Sequence, residues 1–158
     1  EPKKIITLYQ ALPNKIEKIE YILQKWVEVG IRRFVFFRAE YSQKLILSEA
    51  KKERLETIAR EAVEQCGWLL LPEIVWSEGE IPVFSEKNIV LDTIGTRVAI
   101  RTYESFEEVA IHVGPEWGWS MSERDKMREK GFIFAHIGNR VLRTETMGVV
   151  MAFSLLNA

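Results

Sequence analysis

Short apolar runs alternate with longer amphipathic stretches along most of this chain, and the alternation limits the folds open to it. The runs at 5–12, 32–39 and 71–77 have the length and composition of buried strands. Between the first two, apolar residues recur at helical spacing until Gly30. Strands that alternate with helices favour an α/β domain with a mostly parallel sheet, covered by helices on both faces.

Start and stop signals give approximate bounds for the elements. Asn14 with Glu17, and Ser120 with Glu123, form capping-box patterns that predict two helix starts. The second predicted helix, 48–66, has a stripe of small and apolar residues. That stripe comprises Leu55, Ile58, Ala59, Ala62, Val63 and Cys66. The remaining predicted elements are strands at 88–95, 109–114 and 132–138 and helices at 120–131 and 143–156.

Length and composition exclude several classes of protein. A chain of 158 residues with 47% hydrophobic and 28% charged residues suits one globular domain, 1–158. We expect a cytoplasmic protein without a membrane partner, because no apolar run reaches about 18 residues and no signal peptide opens the chain. One cysteine and two distant histidines predict neither a disulfide nor a metal site. The 22 basic and 23 acidic residues nearly cancel, so overall charge gives no support to DNA or RNA binding.

Three unusual segments follow predicted strands. They read LDTIG (91–95), GPEWGWS (114–120) and IGNRVLRTET (137–146). In a parallel sheet the carboxyl ends of the strands meet at one edge, which is where ligands bind. Gly114 and Gly118 would let backbone amides approach a ligand, and Pro115 would stiffen the turn. None of the segments is a dinucleotide fingerprint or a phosphate-binding loop, so they predict a binding edge of another kind.

These segments resemble a known family. GPEWGWS is similar to the G-P-E-G-G-F/L-S loop, and IGNRVLRTET to the L-G-P-R-I-L-R-T-E-T segment, of the ribosomal small subunit methyltransferase E family. ILQKWVEVGI and IAREAVEQCGWLLLPEI also resemble helix segments of that family. The family belongs to the SPOUT methyltransferases. The resemblance implies a C-terminal trefoil knot, S-adenosylmethionine as cofactor, a homodimer, and methylation of a uridine ring nitrogen in RNA of the small ribosomal subunit.

The resemblance also implies a cofactor site. An adenine ring needs apolar walls and a few backbone hydrogen bonds, which the last segment can supply. Glu116 would favour the cationic sulfonium, or would instead satisfy a helix N-terminus. Carried over position by position, the cofactor residues are Leu91, Gly114, Pro115, Glu116, Gly118, Ile137, Gly138, Arg140, Val141 and Leu142.

This chain differs from the family pattern at several points. The family carries an N-terminal RNA-binding domain of the PUA type, to which nothing in this sequence corresponds. Trp117 stands where the loop has its second glycine, and Asn139 replaces a proline. The family's S-E-R-S/C motif aligns with 38–41, which puts Glu40 at the arginine position. Arg38 lies on the same strand face and could replace that arginine, or it could be a surface residue without a role.

Catalysis on a uracil imide requires that its N–H proton be lost. Arg143, at the start of the last helix, is the predicted group that stabilises the resulting anion. Glu145 could orient an arginine, accept the proton or form a salt bridge. His112 and His136 are predicted to be core residues rather than metal ligands or catalytic bases.

Several alternatives remain open at this level. Trp117 and Trp119 could stack a base or an adenine, or could cover the loop against a dimer partner. The last helix has an apolar face of Val149, Val150, Phe153 and Leu156, which predicts the dimer contact. The predicted partners are therefore ribosomal RNA or the small subunit and a second copy of the chain. The alternatives are a SPOUT enzyme for another RNA, such as tRNA, or a knotted binding domain without catalysis.

Overall fold

The fold is a single six-stranded sheet with helices on both faces. A computed structural model describes residues 3–97 and 100–158. All strand pairs are parallel, in the order β3-β2-β1-β5-β4-β6, so the predicted α/β class with a mostly parallel sheet is confirmed. The elements are β1 (Ile5–Ala11), α1 (Ile16–Val29), β2 (Arg33–Phe37), α2 (Glu49–Cys66), β3 (Glu73–Ser77), β4 (Asn88–Arg97), β5 (Glu108–Val113), α3 (Met121–Glu129), β6 (Ile133–His136) and α4 (Thr144–Leu156), with a single 3₁₀ turn at Ile100–Tyr103.

The two faces of the sheet bury separate apolar clusters. Alternate residues of β1 show this directly, since Ile6 and Leu8 join one cluster and Tyr9 joins the other. The first cluster is closed by α1, α2 and α4. The second is closed by Trp119 and by Met127 of α3. No helix in the described part of the chain has the length and apolarity that a membrane crossing requires.

Two predicted features of the first two helices need correction. The capping box at Asn14 is wrong, because α1 begins after Lys15, which makes no side-chain cap. The backbone N–H of Asn14, one residue before the N-cap, instead donates to Glu116 Oε1 at 2.9 Å and connects this end of α1 to the loop after β5. In α2, Ile58 and Cys66 of the predicted stripe are only half-buried. The box at Ser120 is confirmed in both of its hydrogen bonds.

The predicted strand at 88–95 is confirmed, whereas the predicted turn over its end, 91–95, is wrong. β4 continues to Arg97, with a bulge between Leu91 and Thr96 where its pairing with β6 shifts. Gly95 adopts φ +135°, and a Cβ there would lie 2.7 Å from the backbone of Phe134. Only glycine fits so close an approach of two backbones, which explains why this segment looks like a turn in the sequence.

Helix α4 leaves part of its predicted apolar face outside the core. Val150 and Phe153 are exposed, at 37% and 56%, while Val149 and Leu156 are half-buried. The helix is apolar on nearly every side, so spacing alone could not identify the core-facing residues. The buried residues are Thr144, Gly148, Met151, Ala152 and Leu155. The trefoil knot is not decided by strand order and stays a prediction.

Gly148 sets the distance between α4 and α1. A Cβ at this position would lie 1.5 Å from the ring of Trp26, which is fully buried on α1. We therefore expect Gly148→Ala to destabilise the protein by about 1–3 kcal/mol through overpacking. This loss would occur although alanine is the better helix former by about 1 kcal/mol.

Chemical denaturation measures this effect. The matched control is Gly79→Ala, since a Cβ at Gly79 meets nothing within 4 Å. The control should change the unfolding free energy by less than about 0.5 kcal/mol. Equal stability of Gly148→Ala and the wild type would contradict the α1–α4 packing described.

Candidate functional site

Two adjoining pockets lie at the carboxyl edge of the sheet. The larger has a volume of about 530 Å³ and the smaller about 290 Å³. Asp92, Thr93, Val141, Leu142 and Met147 line both pockets and form the boundary between them.

The structure brings the predicted cofactor residues together. In the larger pocket lie Leu91, Gly114, Pro115, Glu116 and Gly118, and in the smaller lie Ile137, Gly138 and Arg140, while Val141 and Leu142 contact both. These residues come from three segments that are far apart in sequence. Their convergence follows from parallel pairing of β4 with both β5 and β6.

The two tryptophans of the 114–120 loop have opposite environments. Trp119 is 4% exposed, stacks near Phe37 at 6.1 Å, and donates its indole N–H to the carbonyl of Leu91 at 3.2 Å. A Cβ at Gly114 would lie 3.1 Å from this ring, so glycine there makes room for the indole. Trp117 is 72% exposed and lines the larger pocket. Trp119 thus anchors the loop, and only Trp117 is available to a ligand.

Glu116 connects the same loop to the start of α1. Its Oε1 accepts hydrogen bonds from the Asn14 backbone N–H and from Lys18 Nζ, both at 2.9 Å. Partial burial raises the pKa of Glu116, but these hydrogen bonds outweigh it and bring the pKa below its ordinary value. The carboxylate is therefore ionised and already paired. Lys18 lines the larger pocket and was not predicted, because nothing in its local sequence sets it apart from the other lysines.

A second ion pair lies at the boundary between the pockets. Asp92 is 8% exposed and binds Arg124 through both of its oxygens, at 2.8 and 3.1 Å. Asp92 Oδ1 also accepts from the backbone N–H of Thr93 at 2.7 Å, which stabilises the bulge. In the sequence, Asp92 can be recognised only as a carboxylate at the end of a buried strand. Its arginine partner, on α3, could be found only from the fold.

The start of α4 is fixed by a buried polar network. The Thr144 hydroxyl donates to the carbonyl of Gly114 at 2.6 Å and accepts from Gln10 Nε2 at 3.1 Å. Gln10 is fully buried. In the sequence it can be recognised as a polar residue inside an apolar strand. The network holds β1, the loop after β5 and the first turn of α4 together.

Arg143 and Glu145 both line the larger pocket. Arg143 is the N-cap residue of α4 and is exposed. Glu145 is half-buried, and its Oε2 is buried without a hydrogen-bond partner among the described residues. The two side chains form no salt bridge with each other within the chain as described.

Arg38 is not brought to this site. It lines a different cavity, and its guanidinium donates to the carbonyls of Gln43 and Leu45. The structure therefore places it on the loop after β2, away from Arg143's pocket.

The prediction that both histidines are core residues is confirmed for His112 and wrong for His136, which is half-buried. Burial lowers the pKa of His112 to about 3, and its Nε2 lies 2.8 Å from Asn88 Oδ1, inside the core. His136 lines the smaller pocket, where its Nδ1 lies 2.9 Å from the Gly138 carbonyl. In the described ranges no group of three or more His, Cys, Asp or Glu residues could hold a metal ion.

Comparisons with known proteins identify relatives of this chain. The family model of the RNA methyltransferase domain matches residues 1–156. The chain resembles ribosomal RNA small subunit methyltransferase E from Neisseria gonorrhoeae, bound to S-adenosyl methionine, with 25% identity, a TM-score of 0.84 and coverage of 98% of this chain and 67% of that one. No curated protein sequence matches the chain.

Two further structures extend the comparison. A Legionella pneumophila protein assigned as a methyltransferase, with S-adenosylmethionine bound, shares 30% identity at a TM-score of 0.81, over 99% of this chain and 66% of that one. The SpoU methyltransferase AviRb from Streptomyces viridochromogenes, in complex with AdoMet, shares the fold at 11% identity and a TM-score of 0.61, over 99% of this chain and 61% of that one. The chain spans about two thirds of the length of the two more similar structures.

Proposed function

The chain belongs to the RNA methyltransferase domain family, and we propose that it transfers a methyl group from S-adenosylmethionine to N3 of a uridine in small-subunit ribosomal RNA. The observation that carries the proposal is the pair of adjoining pockets at the carboxyl edge of the sheet. One pocket can hold the cofactor while the other admits a base, with Val141 and Leu142 at their boundary. The relatives with bound S-adenosylmethionine share this fold.

The residues present fit the proposed cofactor. Gly118 and Gly138 adopt positive φ, at +78° and +66°, and a Cβ at either position would meet nothing within 4 Å, so their turns are open toward a ligand. Val141 and Leu142 supply apolar walls for an adenine ring. When bound, the cofactor supplies an electrophilic methyl group on a cationic sulfonium. Glu116 is paired with Lys18, so its contribution to binding that cation is partly neutralised.

The chain's own residues supply the remaining chemistry. N3 of uracil must lose its proton, and the negative charge then spreads onto the two carbonyl oxygens attached to the ring. Glu145 lines the larger pocket and forms no ion pair among the described residues, so its carboxylate can accept that proton. Arg143 can stabilise the developing anion, and the N-terminal amides of α4 add a positive potential in the same place.

Arg38 has a different place in the proposal. Because it orders the loop after β2 through carbonyl contacts at Gln43 and Leu45, its proposed contribution is to RNA binding rather than to proton transfer. This replaces the predicted catalytic role with one outside the two pockets.

Cofactor binding is the first test. Calorimetry should show S-adenosylmethionine and its demethylated product binding to the wild type. Leu142→Asp should weaken both about tenfold or more, because burying a leucine contributes about 1.5–3 kcal/mol. The control is Leu69→Asp, since Leu69 is 86% exposed and lies outside both pockets. Well-folded wild type that binds neither ligand at millimolar concentration would rule out the proposed enzyme.

Turnover is the second test. Arg143→Ala should lower kcat about a hundredfold or more and leave cofactor affinity nearly unchanged, because the guanidinium meets charge that develops only as the proton leaves. The assay is methyl transfer to small ribosomal subunits from cells that lack the modification. Arg60→Ala, which removes an exposed arginine from α2, is the control. If Arg143→Ala loses cofactor affinity and keeps its turnover, Arg143 is a binding residue instead.

Assembly is the third test. We propose a homodimer through α4, because Val150 and Phe153 expose apolar surface there. Light scattering should give a dimer for the wild type and a monomer for Phe153→Glu. Val83→Glu changes another exposed apolar side chain, at 76% exposure, and should remain dimeric. A monomeric wild type at micromolar concentrations would contradict the proposal.

A further inference from the structure

Trp117 lies at the tip of a tight turn beside the larger pocket. The Gly118 N–H donates to the Pro115 carbonyl at 2.9 Å and closes the turn, while Gly118 itself has φ +78°. Trp117 is 72% exposed. Its neighbour Trp119 already anchors the loop to the core through Leu91, so the packing of the loop does not require a second indole. A large apolar ring held in water at a pocket mouth indicates a ligand contact.

The charges around Trp117 indicate the nature of that ligand. Among the charged side chains that line the two pockets, Asp92 is paired with Arg124 and Glu116 with Lys18. Arg140 and Arg143 are exposed, and neither forms a salt bridge in the part of the chain that the structure describes. Glu145 also lines the larger pocket but is half-buried, so the exposed charge at the mouth comes from the two arginines and is positive, which suits a phosphate backbone.

We propose that Trp117 is a stacking platform for an unpaired base of the RNA substrate, next to the base that enters the larger pocket. The inference rests on the proposed function, since it assigns part of the substrate site. An indole face stacks on any base, and nearby arginines bind the phosphates on either side of it. Trp117 would thus bind a flanking nucleotide, while Arg143 and Glu145 act on the uracil.

Two other occupants are less consistent with the geometry. For the adenine of the cofactor, the predicted apolar residue Ile137 lines only the smaller pocket, whereas Trp117 lines only the larger one. If Trp117 instead contacted a second copy of the chain, that copy would have to cover the exposed guanidinium groups of Arg140 and Arg143. The exposed apolar residues of α4, Val150 and Phe153, line neither pocket, so they offer a separate surface for that contact.

The experiment measures binding of a labelled, single-stranded, uridine-rich RNA oligonucleotide by fluorescence anisotropy, using the whole chain. Trp117→Leu keeps an apolar side chain but removes the aromatic face, and it should weaken RNA binding about tenfold or more. Trp117→Phe should retain most of the affinity. The matched control is Met121→Leu, because Met121 is 78% exposed and lies outside both pockets. Calorimetry should give the same cofactor affinity for all four proteins.

Each result either supports or overturns the inference. Wild-type RNA affinity in Trp117→Leu would overturn it, as would a wild type that does not bind the oligonucleotide. A loss of cofactor affinity in Trp117→Leu would assign the ring to the adenine instead, and a change from dimer to monomer would assign it to the partner. The binding assay needs no methyl transfer. RNA binding that depends on Trp117 without any turnover would therefore overturn the proposed function and leave this inference standing.

Discussion

The hydroxyl of Thr144 holds together the parts of the chain from which the site is built. It donates to the carbonyl of Gly114 and accepts from Gln10, and all three groups lie inside the protein. A buried polar group without a partner costs about 1–3 kcal/mol, so these elements cannot separate without losing the network. One turn later, Gly148 lies against the ring of Trp26 and sets the distance between α4 and α1. The first turn of α4, held in this way, lines the larger pocket.

The carboxylates of the pockets differ in whether a basic side chain is paired with them. Two of the pocket carboxylates, on Asp92 and Glu116, are held by a guanidinium and an ammonium group and have structural roles in the bulge and the loop. Glu145 differs from them, since one of its oxygens has no partner. In the proposed reaction Glu145 receives the proton, because it is the larger pocket's carboxylate that forms no ion pair among the described residues. A cation such as Arg143 beside it favours the charged form of whatever has just lost that proton.

The 114–120 loop shows how similar residues can have different roles. The sequence allowed both tryptophans either to stack on a ligand or to cover the loop. The structure separates them, because the positive φ of Gly118 reverses the chain between the two residues and directs Trp119 under the loop. Glycine at 114 is required by that indole, and glycine at 118 by the backbone. In the loop pattern of the resembling family these glycines look alike, although their physical reasons differ.

Local pattern in the sequence determined the α/β class and the cap at Ser120, because strand periodicity and capping act over a few neighbouring residues. The predicted pocket residues came from the family resemblance, and the structure brings them together at one edge of the sheet. The same local pattern predicted the wrong cap for α1, which begins after Lys15 without a side-chain cap. The core-facing residues of α4 could not be identified from spacing, because the helix is apolar on nearly every side. Arg124, Lys18 and Gln10 became site residues only in the tertiary structure. Their partners lie on other elements, and distance in space, which periodicity does not encode, decides which charges meet.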